Sequence, residues 1–431
     1  MAVRRERNQK MKVLVVGGGG REHAIVWKLA QSPKVTALFC APGNAGVAEL
    51  AVCVPIQATD KEGIFDFAVA NQIDMVMVAP DDPLSIGMVD FLEAGGIRAF
   101  GPCKAAAQIE ASKVFSKGLM KKYGIPTADY QVFTESDQAV AYLERPEQTY
   151  PAVIKADGLA LGKGVIIAQN RQEAVDAVRD MMDGGRFGKS GSQIVIEEFM
   201  TGPEVTVLAF TDGKTIWPMV SSQDHKRAYD HDLGPNTGGM GAFSPSLNYT
   251  EKIADICMKT IFQPTIAALQ AEGIEYKGVL YFGLMLTPSG PKVVEYNSRF
   301  GDPETQCILP RLKTDLYDIF DKVIDGRLNE IELQWDDRAC CCVVAASGGY
   351  PVKYQSGYEI SGIEEAKAAG ALVFHAGTKR NEAGHYMNAG GRVLGVTALG
   401  DSLEEAISKA YQAIGRISWT DMHYRKDIGR K

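Results

Sequence analysis

Glu295 and Asn297 stand two residues apart at the end of a valine-rich run, and Arg299 follows two residues later. Alternate residues of a strand share a face, so this spacing sets a carboxylate beside a carboxamide oxygen. Hard oxygens of that kind suit Mg²⁺, which shares its shell with phosphates. If the strand continues, Arg299 lies on the same face, where a guanidinium can hold a transferring phosphoryl group or a carboxylate. The bland alternative is a buried Glu295–Arg299 ion pair. A second pattern runs Lys155-Ala156-Asp157-Gly158-Leu159-Ala160-Leu161-Gly162-Lys163-Gly164-Val165. A lysine ending one strand, a glycine-rich loop and a new strand describe a hairpin able to close over a triphosphate with backbone amides and two ammonium groups; the alternative is an exposed hairpin with solvated lysines. It is not a Walker A loop, because no Ser or Thr follows Lys163.

Two further segments carry chemistry. Gly17-Gly18-Gly19-Gly20-Arg21-Glu22-His23 joins a strand to a helix, where amides and the helix dipole favour an anion. Glu22 stands where the dinucleotide fingerprint needs glycine, so phosphate or another small anion is expected, with a ligand-free tight turn as the alternative. Residues 221–246 form a long loop containing Asp224-His225-Lys226-Arg227 and a glycine-rich stretch at 234–242. Its length and mixed charge suit a substrate-enclosing loop. His23, His225 and His231 have no metal-ligand spacing and are not read as zinc ligands.

The elements that must position these groups follow from hydrophobic pattern. Residues 13–16 form an apolar, β-branched run, followed by helical spacing at 21–31, strand at 35–40, helix at 63–70, strand at 75–79, helix at 86–93 and strand at 97–100. This βαβ alternation predicts an open parallel sheet, with ligands outside the carboxyl ends of its strands. Later strands at 152–154, 165–168, 194–199, 205–210, 278–287 and 292–297 look antiparallel, with helices at 112–123, 171–182 and 251–271. A smaller unit after Trp335 has strands at 339–346, 372–378 and 392–398 and a helix at 403–416. The fold class is therefore multidomain α/β and α+β.

Composition narrows the function. The chain has 431 residues, about three domains at ~150 residues each. Net charge is −7, which gives no global field for nucleic acid, and no run of 18 apolar residues marks a membrane span. Eight cysteines without a C-x-x-C pair argue against a zinc ribbon or a disulfide framework and fit a reducing cytoplasm, with Cys340–Cys342 read as packing. The basic stretch 1–10 is read as a disordered extension or an upstream start, with Met11 as the natural first residue.

Taken in order, Gly18–Ala24, Ala41–Gly46, the 155–165 loop, 223–227, 234–242 and Arg299-Phe300-Gly301-Asp302-Pro303-Glu304-Thr305-Gln306 resemble the glycinamide ribonucleotide synthetase family of ATP-grasp ligases. The resemblance runs from Met11 to Gly429. It implies an N-terminal open α/β domain (11–111), an ATP-grasp domain (112–330) with a lid subdomain at about 123–191, and a C-terminal β-rich domain (335–431). It implies ATP-dependent ligation of glycine to 5-phosphoribosylamine through glycyl phosphate, the second step of purine synthesis, with ATP and Mg²⁺ or Mn²⁺. Lys113 and Lys155 would meet the ATP phosphates under Gly158, Gly162, Lys163 and Gly164; Glu197, Glu198 and Phe199 would receive adenine and Glu204 the ribose hydroxyls. Glu295 and Asn297 would hold the metal; the strand before them (278–286) has no carboxylate to add. Asp224, Lys226, Gly238, Gly239, Gly241 and Arg299 would surround glycine, with Arg299, Lys155, Asp224 and Lys226 as the catalytic set; Gly18, Gly19, Gly20, Arg21 and Asn44 would hold phosphoribosylamine. Members usually read Gly-Pro-Glu where this chain has Ala79-Pro80-Asp81, followed by Asp82. The implied partners are small molecules, with no nucleic acid and no membrane, and a monomer or small homo-oligomer. The alternatives are another ATP-grasp carboxylate–amine ligase, a non-catalytic nucleotide-binding module, or a nicotinamide oxidoreductase, which Glu22 argues against.

Overall fold

The computed structural model describes residues 10–158, 164–184 and 191–430. Strands Val52–Cys53, Val35–Pro42, Met11–Gly17, Met75–Val78 and Ala99–Phe100 lie side by side in that order, all parallel. Val13, Leu14, Val15 and Val16 are fully buried, as a strand covered on both faces requires. The strand order reverses about Met11–Gly17, so the glycine loop and Ala79-Pro80-Asp81 leave the sheet at its switch point. The expected helix at 86–93 is two pieces, Asp81–Ser85 and Met88–Ala94, with Gly87 at φ +81 between them.

The lid is a four-stranded antiparallel sheet ordered Tyr130–Phe133, Ile194–Glu198, Ala152–Ala156 and Val165–Ala168, with helices Ser136–Leu143 and Arg171–Met182 packed together. Ala152–Ala156 and Val165–Ala168 pair antiparallel, so the lysine-bearing segment is a hairpin. Gly162 and Lys163 at its tip lie outside the described residues. The central sheet runs Ile216–Pro218, Glu204–Thr211, Gly278–Thr287, Gly290–Asn297, also antiparallel. Behind it, the helix expected at 251–271 continues through a π-helical turn, Met258–Phe262, between α-helical halves.

The segment at 221–246 is not a structureless loop. It contains strands Gln223–Asp224, Arg227–Tyr229, Leu233–Asn236 and Gly241–Ser244. Gly241–Ser244 pairs with Ala339–Ser347 and so belongs to the C-terminal sheet, together with Arg392–Gly400 and Leu372–His375. Short strands rich in glycine and charge have no period-2 signal, and only the long-range partner makes them strands. Among the described residues, no helix is long and apolar enough to cross a membrane.

Candidate active site

A cleft of about 1340 Å³ lies where the lid, the central sheet and the C-terminal sheet meet. Its floor is the end of Gly290–Asn297. Tyr296 points into the core, where its hydroxyl meets Thr265 Oγ1 at 2.9 Å, so its neighbours Glu295 and Asn297 face the cleft. The Lys226 ammonium, 3.4 Å from Glu295, overcomes the cost of burial and, with Lys155 and Lys113, holds the carboxyl down at about 2. Arg299 does not pair with Glu295. Its Nη2 lies 3.1 Å from Glu110 and 3.3 Å from Asn297 Oδ1, and its buried Nε has no partner.

The lysines come from two directions. Ser112 caps the helix Lys113–Tyr123 through Phe115 N, and the Asp157 carboxylate accepts from Val114 N at 3.1 Å. This sets Lys113 against the lid, where its Nζ donates to Gly158 O at 2.9 Å. Burial lowers the Lys113 pKa against the opposing pull of Glu295. Lys155 Nζ lies 2.9 Å from Glu197 Oε2 and donates to Val294 O at 3.3 Å. Lys117 lies 3.2 Å from the same Glu197 oxygen, and burial pushes it down to about 8. Glu197 Oε1 is buried without a partner. Glu198 pairs with Lys292 at 2.8 Å, and Phe199 stands half-exposed on the cleft wall. Glu204, opening its strand, lies 3.6 Å from Lys226.

Opposite them, Thr237 N and Oγ1 both donate to Lys226 O, and Met240 N donates to His225 O. The turn at 238–241 is thereby tied to Asp224 and Lys226. A Cβ on Gly239, at φ +113, would fall 2.5 Å from Pro303 Cδ, so this close approach requires glycine. Burial pushes Asp224 up to about 7, despite Lys226. Burial also opposes charge on Lys226, but Glu295, Glu204 and Asp224 outweigh it and hold its pKa well above the usual value.

Of the residues expected to hold the amine substrate, Arg21 lines the cleft, whereas Gly18, Gly19, Gly20 and Asn44 do not. Asn44 Nδ2 donates to Gly18 O at 3.0 Å and His375 O at 2.7 Å, and its Oδ1 accepts from Gly46 N and Val47 N. Gly19 N donates to Glu22 Oε2 at 2.5 Å, and Glu22 Oε1 lies 2.6 Å from Arg21 Nε. Asp302 accepts from the Arg21 backbone. The chain's own carboxylates thus take two of these amides, those of Gly19 and Arg21.

Several cleft residues escape a sequence reading. Lys117 follows Lys113 by four residues, which puts both on one helix face, a signal that was available. Glu304 and Asp302 sit inside the distinctive 299–306 stretch; Tyr281 donates to Glu304 at 3.0 Å. Arg392, from the C-terminal sheet, donates to Gly238 O at 2.6 Å and Asp302 O at 2.8 Å, while Gly238 N donates to the Tyr350 hydroxyl at 3.1 Å. Neither carries a local signal, because both reach the cleft only through the tertiary fold.

The hairpin lid, the four-stranded central sheet and the Glu295–Asn297 floor define an ATP-grasp ligase. Family models described as the N, ATP-grasp (A) and C domains of phosphoribosylglycinamide synthetase match residues 11–110, 111–305 and 340–431. The chain belongs to the phosphoribosylglycinamide synthetase family. It is 49% identical over 418 residues to a phosphoribosylamine–glycine ligase of Caldanaerobacter subterraneus, covering 97% of this chain and 99% of that one. It is 50% identical over 422 residues to the enzyme of that name from Haemophilus influenzae, covering 97% and 98%. The solved phosphoribosylamine–glycine ligase of Thermotoga maritima superposes with a TM-score of 0.84 at 32% identity, covering 97% of this chain and 100% of that one. A biotin carboxylase domain from Hydrogenobacter thermophilus, solved with MgADP, shares the fold at a TM-score of 0.73 and 15% identity, covering 97% and 92%.

Proposed function

We propose that this chain joins glycine to 5-phosphoribosylamine at the expense of ATP, giving glycinamide ribonucleotide, ADP and phosphate. The observation that carries this reading is the convergence of Lys113, Lys155, Lys226 and Arg299 on one cleft with Glu295 and Asn297. A carboxylate is a poor acyl donor to an amine. One glycine oxygen attacks the γ-phosphorus of ATP, and the bond to the ADP oxygen breaks. The amine nitrogen then attacks the acyl carbon, the bond to phosphate breaks, and the amine's proton passes to a base. Two anions must meet in the first step, and the lysines and Arg299 offset their repulsion. Asp224, half-buried beside Lys226 with its pKa pushed up to about 7, is the proposed proton acceptor. Glycyl phosphate hydrolyses readily, so the hairpin at 152–168 and the turn at 238–241 exclude water.

The residues fit a divalent cation. Glu295 is ionised at neutral pH, and Asn297, two residues on along the same strand, lines the same cleft. Glu295 and Asn297 would therefore hold Mg²⁺ or Mn²⁺ together with phosphate oxygens and water, where the ion neutralises phosphate charge. Lys113, Lys155 and Gly158, with Gly162, Lys163 and Gly164, would close on the triphosphate. The open Glu197 Oε1, Glu198 and Phe199 would face adenine, and Glu204 the ribose. Arg21 would contact the amine substrate directly, with Gly18, Gly19, Gly20 and Asn44 shaping that wall from behind. The proposed division is an N-terminal domain at 11–111, an ATP-grasp domain at 112–330 and a C-terminal domain at 335–431, and family-model matches at 11–110, 111–305 and 340–431 support it. Eight unpaired cysteines are compatible with a reducing cytoplasm, and the partners are small molecules acting on a monomer or small homo-oligomer. The test uses glycine labelled with ¹⁸O in its carboxylate. Label in the released phosphate supports the acyl phosphate; label confined to the product amide and residual glycine refutes it.

A further inference from the structure

Among the described residues, the one acid paired with Arg299 comes from a distant part of the chain. Glu110 is on the helix Lys104–Ala111, at the last position of the N-domain match. Its Oε1 lies 3.1 Å from Arg299 Nη2, and its Oε2 accepts from Ser298 N at 2.8 Å and Ser298 Oγ at 3.0 Å. The carboxylate is almost fully buried, and Arg299 is one-fifth exposed, toward the cleft. One side chain therefore grips both the backbone leaving the Glu295–Asn297 strand and the head of the following arginine. It also occupies one edge of the guanidinium through Nη2, and the Arg299 Nε is buried without a hydrogen-bond partner. Asp81 and Glu304 are the other acids whose charge acts on Arg299.

We propose that Glu110 is a positioning residue for the ligation, fixing the orientation of Arg299 and balancing its charge so that the phosphoryl group is held during transfer and released afterwards. This rests on the reading that Arg299 meets the transferring group. A guanidinium that loses its nearest counter-charge, keeping only the more distant Asp81 and Glu304, binds an anion more tightly, because attraction in a poorly solvated site is weakly screened. A guanidinium free to tilt loses the alignment that transfer needs, and small misplacements cost large factors in rate. The two effects predict a signature that general loosening of the fold does not give.

The experiment compares Glu110→Gln, Glu110→Asp and Arg299→Met in the full chain. Steady-state turnover and inhibition by inorganic phosphate are measured, with thermal melting as a control. Glu110→Gln keeps one acceptor oxygen but removes the charge. It is expected to lower kcat on the order of tenfold to a hundredfold, leave KM for ATP within about twofold, and make phosphate inhibition at least about fivefold tighter. Glu110→Asp keeps the charge with a shorter reach; it is expected to lower kcat while phosphate inhibition stays near the parent value. Parent-like kcat and phosphate inhibition in a folded Glu110→Gln protein overturn the proposal. If that variant does not fold, parent-like kcat in Glu110→Asp does the same. Arg299→Met separates the two readings. Its full activity sinks the role of Arg299 itself, whereas its inactivity beside a normal Glu110→Gln sinks only the inference about Glu110.

Discussion

Lys155 Nζ lies 2.9 Å from Glu197 Oε2, with both side chains almost fully buried at the base of the lid. Lys117 shares that oxygen, so one carboxylate holds two ammonium groups beneath the place a triphosphate would enter. Lys155 is thus part of the scaffold as well as the site. Lys155→Met is expected to weaken ATP binding at least about tenfold, slow turnover further, and destabilise the protein by on the order of 3 kcal/mol as the buried pair breaks. ATP titration followed by calorimetry or fluorescence, with a denaturant melt, checks this. Unchanged affinity and turnover would make Lys155 structural only.

Glu295 is the ionised floor of the cleft. Glu295→Ala is expected to cut turnover by at least on the order of 10²–10³-fold while the melting temperature stays within about 4 °C. Rates are to be measured across a Mg²⁺ series. Near-parent turnover at limiting Mg²⁺ would remove the metal assignment.

Asp224 is pushed up to about 7 by burial. A base works only when ionised, so kcat/KM should fall tenfold per pH unit below about 7 and level off above it. Asp224→Asn should flatten that limb and lower the plateau. A parent-like acid limb in the variant would assign the titration to another group.

Asn44 makes scaffold contacts where the family resemblance implies a substrate contact. Asn44→Ala removes hydrogen bonds that join the glycine loop to His375 O, at an expected cost on the order of 2 kcal/mol. A thermal melt and the KM for phosphoribosylamine check this together. Unchanged stability with a sharply raised KM would restore a direct substrate role.

The same junction should respond to acid. His23 Nδ1 accepts from His375 N at 2.8 Å, and burial lowers His23 to about 4 and His375 to about 3. An unfolded histidine titrates near 6.5, so both groups bind protons more readily unfolded. Their contribution to stability is complete above pH ~6.5 and is lost as pH falls, down to about 4 for His23 and about 3 for His375. Melts of the parent and His375→Gln over this window should converge at the acid end. A constant difference from pH 8 to pH 4 would contradict the assignment.

The chemistry was legible wherever it is local. Glu295-Tyr296-Asn297 ends a regular strand, and Lys155 and Val165 lie on the two paired strands that flank the glycine-rich segment, so alternation reveals which residues share a face. The parallel N-terminal sheet was legible for the same reason, since residues 13–16 and 75–78 are unbroken apolar runs. Legibility stopped where a partner lies far along the chain. Glu110 meets Ser298 across 188 positions, and Arg392 meets Gly238 across 154. Gly241–Ser244 becomes a strand only against Ala339–Ser347. In the glycine loop, intramolecular partners that composition does not reveal are added: Glu22 accepts from Gly19 N and Asp302 from the Arg21 backbone.

The most direct test of the proposed function is ADP release with Mg²⁺ and ATP, omitting glycine or phosphoribosylamine in turn. Full-rate release is expected to require both substrates, with glycinamide ribonucleotide formed in equal amount. ADP release indifferent to glycine, or release with both present but no amide product, would contradict it.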